Sequence, residues 1–430
     1  MGLVVQKYGG TSVGDAGKIK NVARRVVAAK EAGNGVVVIV SAMGHTTDEL
    51  LSLAAQISPA PFARELDMLL TAGERISMAL LSMAIIELGH EAISFTGSQA
   101  GIVTDTTHGR ARILEVKANR VLEALRAGKI VIVAGFQGVS TAYDVTTLGR
   151  GGSDTTAVAM AAALGADVCE IYTDVQGVYT ADPRVVPEAR KLHAVSYEEM
   201  LEMSAAGAKV LMLRSVEYAR NYSVLVHVRS TFTVAEGTWI REEDERMEQA
   251  IIAGIAHDVS EAKVTIQSLP DRPGVAARLF RILADQGVNV DMIVQNASEH
   301  GRTDISFTSP LEDWRRAEAL MEEAASDLGA TGVTVDPDIA KVSLVGAGMK
   351  THPGVAADMF DALAEAGINI QIISTSSIRI SCVVAQPQWQ EAVKAVHDRF
   401  ELSSEAVFRE QHPLTATGQM KAVAGKEVKP

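Results

Sequence analysis

Short apolar runs alternate with amphipathic stretches from the first residues to about residue 235. Leu3-Val4-Val5-Gln6, Val36-Val37-Val38-Ile39-Val40, Ile130-Val131-Ile132-Val133 and Cys169-Glu170-Ile171-Tyr172 are brief, rich in β-branched residues and bounded by Gly or Asp. Such runs predict strands of a mainly parallel sheet covered on both faces. Between them, apolar positions at helical spacing predict helices over 17–30, 65–88 and 155–164. The alternation specifies an α/β, three-layer αβα domain. Three strand ends carry polar, glycine-bearing sequence, at 7–12, 41–47 and 173–179. In open α/β sheets ligands sit at the carboxyl ends of strands.

An acidic stretch, 236–250, contains Arg-Glu-Glu-Asp-Glu-Arg and is followed through Met247 by a new pattern. It reads as a solvated linker that closes a first domain at 1–245. Beyond it lies an internal repeat. Ala262-Lys263-Val264 recurs as Ala340-Lys341-Val342, and Pro273-Gly274-Val275-Ala276-Ala277 as Pro353-Gly354-Val355-Ala356-Ala357. Gly287-Val288-Asn289-Val290 recurs as Gly367-Ile368-Asn369-Ile370. Each unit reads strand, Pro-Gly loop, helix, Gly-x-Asn turn, strand, strand and helix, which is the ferredoxin-like βαββαβ pattern. The expected limits are 262–336 and 340–409, with a disordered polar tail at 410–430 and an exchange of terminal strands involving Ala406-Val407-Phe408 left open.

Composition narrows the function. A chain of 430 residues holds two to four domains. A net charge of −13 and an aromatic content of 4% argue against nucleic acid or an anionic membrane as partner. The two cysteines, Cys169 and Cys382, lie far apart in apolar strands and read as buried thiols of a reducing cytoplasm. The sequence shows no apolar run approaching the roughly 18 residues that span a bilayer, and the first strand starts at once, so neither a membrane anchor nor a signal peptide is expected.

The chemistry is concentrated in five segments. Lys7-Tyr8-Gly9-Gly10-Thr11-Ser12 joins a strand to a helix that starts near Asp15. This arrangement points backbone N–H groups and a helix N-terminus at an anion. The lysine precedes the glycines, opposite to a Walker A loop. The others are Ser41-Ala42-Met43-Gly44-His45-Thr46-Thr47, Gly73-Glu74-Arg75-Ile76-Ser77, Gly149-Arg150-Gly151-Gly152-Ser153-Asp154-Thr155-Thr156, and the run from Thr173-Asp174 through Tyr179-Thr180-Ala181-Asp182-Pro183-Arg184.

Lys-Tyr-Gly-Gly-Thr-Ser-Val, Gly-Arg-Gly-Gly-Ser-Asp-Thr-Thr-Ala and Thr-Asp-Val-x-Gly-Val-Tyr-Thr-Ala-Asp-Pro-Arg make the chain resemble the aspartate kinases of the amino-acid-kinase superfamily. The paired repeats resemble ACT regulatory domains. The resemblance implies transfer of the ATP γ-phosphoryl group to the side-chain carboxylate of L-aspartate. It implies an ATP site of Lys7, Tyr8, Gly9, Gly10, Ser41, Thr173, Asp174, Tyr179, Thr180, Asp182, Arg184 and Lys209, with Lys7 and Asp174 catalytic. For aspartate it implies Arg150 on a carboxylate, Glu74 on the α-ammonium, and Thr47, Gly151, Gly152 and Ser153 around them. Mg²⁺ would come with ATP, held mainly through its phosphates, with no dedicated protein metal site. Lysine and/or threonine would bind a regulatory site of Asp271, Pro273, Gly274, Val275, Ala276, Asn289, Asp291 and Gln295, with Asn369 and Ile370 in the second repeat. A homo-oligomer through the ACT domains is implied, or a large and small subunit pair with the small chain starting at Met247.

Plainer readings stand beside these. Arg150 could be a surface residue beside a turn, and Glu74 a helix-end charge. Asp182-Pro183 could only start a turn. Asp154 reads as an N-cap or loop organiser, and Lys209 as a possible amphipathic-helix lysine. The second repeat lacks the Asp-Arg of the first and could be a pairing scaffold. The competing functions are another amino-acid kinase or a non-catalytic amino-acid sensor. A fused homoserine dehydrogenase is disfavoured, since no Gly-x-Gly-x-x-Gly follows residue 400.

Overall fold

A computed structural model describes residues 2–243, 252–296, 300–350, 352 and 354–404. Met247, Ala406-Val407-Phe408 and the tail at 410–430 lie outside the described residues, as do Thr351 and Pro353 of the second repeat's loop.

The β-branched runs of the first domain form the centre of an eight-stranded sheet. Its order is Ala194–Ser196, Thr238–Arg241, Val226–Ser230, Val168–Thr173, Leu3–Tyr8, Gly35–Val40, Ile130–Ala134 and Ala92–Phe95. Every neighbouring pair is parallel except Val226–Ser230 with Thr238–Arg241. All of Gly35–Val40 and Ile130–Ala134 is buried, as continuous apolar strands covered on both faces should be. Alternation divides the core. Val36, Val38 and Val40 pack with Ile19, Val22, Leu81 and Ile85 on one face. Val37 and Ile39 meet Val158 and Met160 on the other.

Several elements differ from the sequence expectation. The helix expected over 65–88 is divided at Thr71 into Ala63–Leu70 and Ala72–Glu87. Together, Ala63–Glu87 is long and apolar enough to cross a membrane by length and composition, contrary to the expectation that no stretch approached this. Here it covers the sheet, with Leu81 and Ile85 fully buried. The stretch 236–250 is not solvated linker from its start. Thr238–Arg241 is a sheet strand with Thr238 and Ile240 buried. A small second sheet of Ile113–Val116, Ile102–Thr104, Gln137–Ser140 and Val145–Thr147 also escaped notice, because its strands have only three or four residues.

The repeats fold as two four-stranded antiparallel sheets, each backed by two helices. Gly274 and Gly354 occupy equivalent positions before the first helix of each unit, at φ +94° and +107°. A left-handed turn at both places accounts for the repeated Pro-Gly. The first sheet runs Ile293–Gln295, Arg302–Pro310, Glu261–Pro270, Gly332–Asp336. The second runs Gly254–Asp258, Ile339–Val345, Arg379–Ala385, Ile372–Thr375. Its edge strand, Gly254–Asp258, therefore comes from before the first repeat and pairs antiparallel with Ile339–Val345. The second unit is discontinuous in sequence, with the first inserted into it. It docks on the kinase-domain helix Tyr197–Ala205, where Arg379 pairs with Glu202 at 3.0 Å and the Ala347 N–H donates to Glu199 at 3.2 Å.

Candidate active site

Lys7 stands near the carboxyl end of the central strand. Its register partners are Ile39 on one side and Ile171 on the other. The loops after those neighbouring strands are 41–47 and 174–184, so Lys7 lies between the two polar clusters. The glycines after it stitch the loops together. The Gly44 N–H donates to the Gly10 carbonyl at 3.0 Å, and a Cβ at Gly10 would lie 2.9 Å from the Ala42 carbonyl oxygen. The helical turn Gly10–Val13 follows. Lys7 is largely buried, and its Nζ sits 2.6 Å from an Asp154 carboxylate oxygen.

Asp154 corrects the expectation of an N-cap or loop organiser. The cap position belongs to Gly151, in the left-handed region at φ +68°, and Asp154 lies in the first turn of helix Gly152–Leu164. The first ten residues of that helix are all buried. A carboxylate in such a setting needs a cation, and Lys7 is the one supplied. Arg150 is exposed just before the helix, Gly151 and Gly152 pack so closely on Met212 and Leu148 that a Cβ would collide, and Ser153 is buried toward Gly135.

Glu74 is buried in the first turn of helix Ala72–Glu87. One carboxylate oxygen accepts the Ala42 N–H at 3.1 Å, tying Glu74 to the loop that leads to Thr47. The other oxygen is buried without a hydrogen-bond partner among the described residues. Burial pushes the carboxyl up to about 7, against the opposing pull of the Ala42 N–H. A buried acceptor of this kind is suited to an incoming ammonium group. Thr47 is half-buried in the first turn of helix Thr46–Ile57.

Asp67, which the sequence reading did not single out, organises the same flank. It is 1% exposed and accepts from His108 Nδ1 at 2.7 Å, from the Gly109 N–H at 3.1 Å and from Thr147 Oγ1 at 2.5 Å. Gly109 in turn abuts Gly149, since a Cβ there would lie 3.1 Å from the Gly109 carbonyl oxygen. Its partners are distant in sequence, so no local pattern marks it.

On the other side of Lys7 a cavity of about 500 Å³ opens. Thr173, Asp174, Tyr179, Asp182, Arg184 and Lys209 all line it, as the motifs lead one to expect. Arg184 Nε and Nη2 donate to the Asp182 carboxylate at 3.0 and 2.6 Å. Those hydrogen bonds hold Asp182 below its ordinary range, against its partial burial. Lys209 is exposed in a turn, not on an amphipathic helix. The wall opposite includes Ile255, His257 and Asp258 from the second regulatory sheet, a contribution the sequence reading missed.

Of the expected nucleotide residues, Lys7, Tyr8, Gly9, Gly10, Ser41 and Thr180 are not among those that line the cavity, and the side chains of two of them are held elsewhere. The Tyr8 side chain is wholly buried and stacked on Tyr172, with centroids 4.7 Å apart, so only its backbone reaches the loop. Thr180 is 4% exposed, and its hydroxyl lies 3.1 Å from His397 Nε2 of the regulatory half. It faces away from the cavity its neighbours line.

In the regulatory half, Asp271, Asn289, Gln295 and Asn369 are exposed, and Val275 is buried at its helix start. Ala276 and Ile370 pack partly buried against the cores of their units. Asp291 is already engaged, forming an ion pair with Lys341 of the second unit.

The amino acid kinase family model matches residues 2–230, and ACT domain models match 263–329 and 342–400. The aspartokinase of Mycolicibacterium smegmatis is 60% identical over 410 residues, 94% of this chain and 97% of that one. E. coli aspartokinase III in complex with aspartate and ADP, the R-state, superposes with a TM-score of 0.81 at 27% identity, over 93% of this chain and 100% of that chain. The T-state, in complex with lysine and aspartate, gives 0.72 at 28% identity, over 92% and 99%. By its kinase core and its paired regulatory modules, the chain belongs to the aspartokinases of the amino acid kinase family.

Proposed function

We propose that the chain phosphorylates the side-chain carboxylate of L-aspartate with ATP, giving 4-phospho-L-aspartate. The observation that carries this is the place of Lys7 on the central strand, between the strand leading to the Ala42 loop that Glu74 holds and the strand whose end, Thr173-Asp174, lines the cavity. Two anions must meet for this reaction, so alignment and charge neutralisation dominate. Aspartate would sit with its α-ammonium on the unpartnered Glu74 oxygen and a carboxylate on Arg150, with Thr47 and Ser153 beside it. ATP would occupy the cavity, with Gly9, Gly10 and Ser41 toward its phosphates. The attacking carboxylate is ionised at neutral pH, so no general base is required. Lys7, held in place by Asp154, would stabilise the transferring phosphoryl oxygens.

Among the described residues, no group of three or more His, Cys, Asp or Glu forms a metal cluster. The donor set fits an ion that would be carried by the nucleotide phosphates, with Asp174 one of the three carboxylates, beside Asp182 and Asp258, at the cavity wall. Bound in that way, Mg²⁺ would neutralise phosphate charge.

Feedback control by lysine, alone or with threonine, is proposed for the paired ACT units, in line with the lysine complex of the E. coli relative. The exposed helix-start loop around Gly274 and the exposed Asn289, Gln295 and Asn369 are the groups offered to an amino acid. Half-exposed Ile293 and Ile373 on the outer strands Ile293–Gln295 and Ile372–Thr375 support self-association there. Buried Cys169 and Cys382, both with thiols pushed up by burial, suit a reducing cytoplasm.

Trapping the acyl phosphate with hydroxylamine tests the reading. Hydroxamate should form only with both ATP and L-aspartate present, and its absence would reject the kinase in favour of a sensor. Assays with lysine and threonine, singly and together, test the regulation.

A further inference from the structure

Thr180 lies within the loop that walls the nucleotide cavity, between Tyr179 and Ala181, which both line it. It is tied at every polar atom. Its N–H donates to the Arg190 carbonyl at 2.8 Å, and its carbonyl accepts the Ile255 N–H at 2.7 Å. Its Oγ1 accepts the Arg190 N–H at 3.0 Å and lies 3.1 Å from His397 Nε2. His397 is on the last helix of the second regulatory unit, Trp389–Arg399, and is wholly buried. Among the described residues its Nδ1 has no hydrogen-bond partner, so Thr180 is the polar contact they supply to orient the ring.

The regulatory edge strand Gly254–Asp258 supports this loop and the opposite wall together. At Gly254 a Cβ would come within 2.8 Å of the Thr180 carbonyl oxygen. At Gly207, two residues before Lys209 and at φ +106°, a Cβ would collide with the His257 carbonyl. Both approaches need glycine, one for space alone and the other also for its backbone angle. The kinase loop carrying Tyr179 and Asp182 and the turn carrying Lys209 thus rest on one strand, and His397 locks the first of them from behind.

We propose that Thr180 and His397 act as a positioning pair that sets the nucleotide cavity from the second regulatory unit. Neither residue is among those that line the cavity. Close packing transmits a displacement of the Trp389–Arg399 helix to Thr180, and hence to Tyr179 and Asp182 one and two residues away. The inference rests on the reading of this cavity as the ATP site.

The test uses the full chain and separates KM for ATP from KM for aspartate and from kcat. Thr180→Val and His397→Gln should each raise KM for ATP about fivefold to tenfold, with a much smaller change in KM for aspartate. Thr180→Ser, which keeps the hydroxyl, should restore the wild-type KM for ATP. The Thr180→Val/His397→Gln double variant should be no worse than the poorer single variant, as expected of groups acting through one contact. Full additivity, or a lowered melting temperature with unchanged KM for ATP, would overturn the pair. If Thr180→Val does not fold, His397→Gln with Thr180→Ser carries the comparison. Lys209→Ala, measured in parallel, isolates the premise. An unchanged KM for ATP in that variant rejects the ATP-site reading, whereas a raised one beside a normal Thr180→Val rejects only the pair.

Discussion

The ammonium of Lys7 lies 2.6 Å from the carboxylate of Asp154, at the centre of the sheet's carboxyl edge. The pair joins the first strand to a helix that begins almost 150 residues later. It holds a cation in one place before any substrate arrives.

Lys7→Ala should lower kcat in the hydroxamate assay by about 10²-fold or more, the usual consequence of removing a preorganised transition-state charge. Asp154→Asn should lower it less, by about tenfold, because the lysine remains but is no longer anchored. Near-wild-type turnover in Lys7→Ala would reject its role.

Glu74 gives a pH dependence with a definite sign. Its carboxyl is raised by burial from 4.5 to about 7, so the free protein is protonated there in mild acid. KM for aspartate should therefore climb as pH falls from 8 to 6, since the ammonium loses its charged partner. Stability runs the other way. The fold holds this proton more tightly than the unfolded chain, so the contribution is full below the unfolded value and is lost as pH rises through about 7. Glu74→Gln should then melt higher than wild type at pH 8, with the gap closing at pH 5, while its KM for aspartate is high throughout. A flat KM profile in the wild type would remove Glu74 from the ammonium site.

Lys341 is 1% exposed and bridges Glu261, at 2.5 Å, and Asp291. Burial alone would depress it, but the two carboxylates outweigh that and raise it. Lys341→Ala should cost about 3–5 kcal/mol, because it leaves Glu261 charged and buried. Urea unfolding measures the loss, and adding Glu261→Gln should recover part of it. A loss under 1 kcal/mol would mean that the charges are already relieved by solvent.

Asp67→Asn should destabilise the chain by about 2–4 kcal/mol, since an amide cannot accept from His108, Gly109 and Thr147 together. Because Gly109 abuts Gly149 beside Arg150, KM for aspartate should rise more than KM for ATP. Equal changes in both would confine Asp67 to a structural role.

Much of this was legible along the chain. The all-apolar runs at 36–40 and 130–133 could be stable only as strands covered on both faces. The repeated Pro-Gly and Gly-x-Asn positions marked two copies of one unit, and the left-handed Gly274 and Gly354 show why the repeat had to keep them. Lys7 and Asp174 stood out as charged residues in glycine-bearing segments at strand ends, whereas Glu74 and Arg150 were named through the motifs' resemblance to a known family.

The sequence by itself determined the fold class, the long central strands, the repeat and the chemistry at the main strand ends, because these depend on local periodicity and residue type, while the three- and four-residue strands of the second sheet left no such pattern. Tertiary structure alone decided which distant groups meet. Gly254-Ile255-Ala256-His257-Asp258 carries nothing to say that it completes a sheet begun at Ile339, since pairing is set by a partner outside the local window. The motif placed Thr180 beside the nucleotide, yet a histidine 217 residues away turns its hydroxyl from the cavity. Likewise, Asp154 caps nothing and holds Lys7, because burial of its whole helix made a distant cation the available partner.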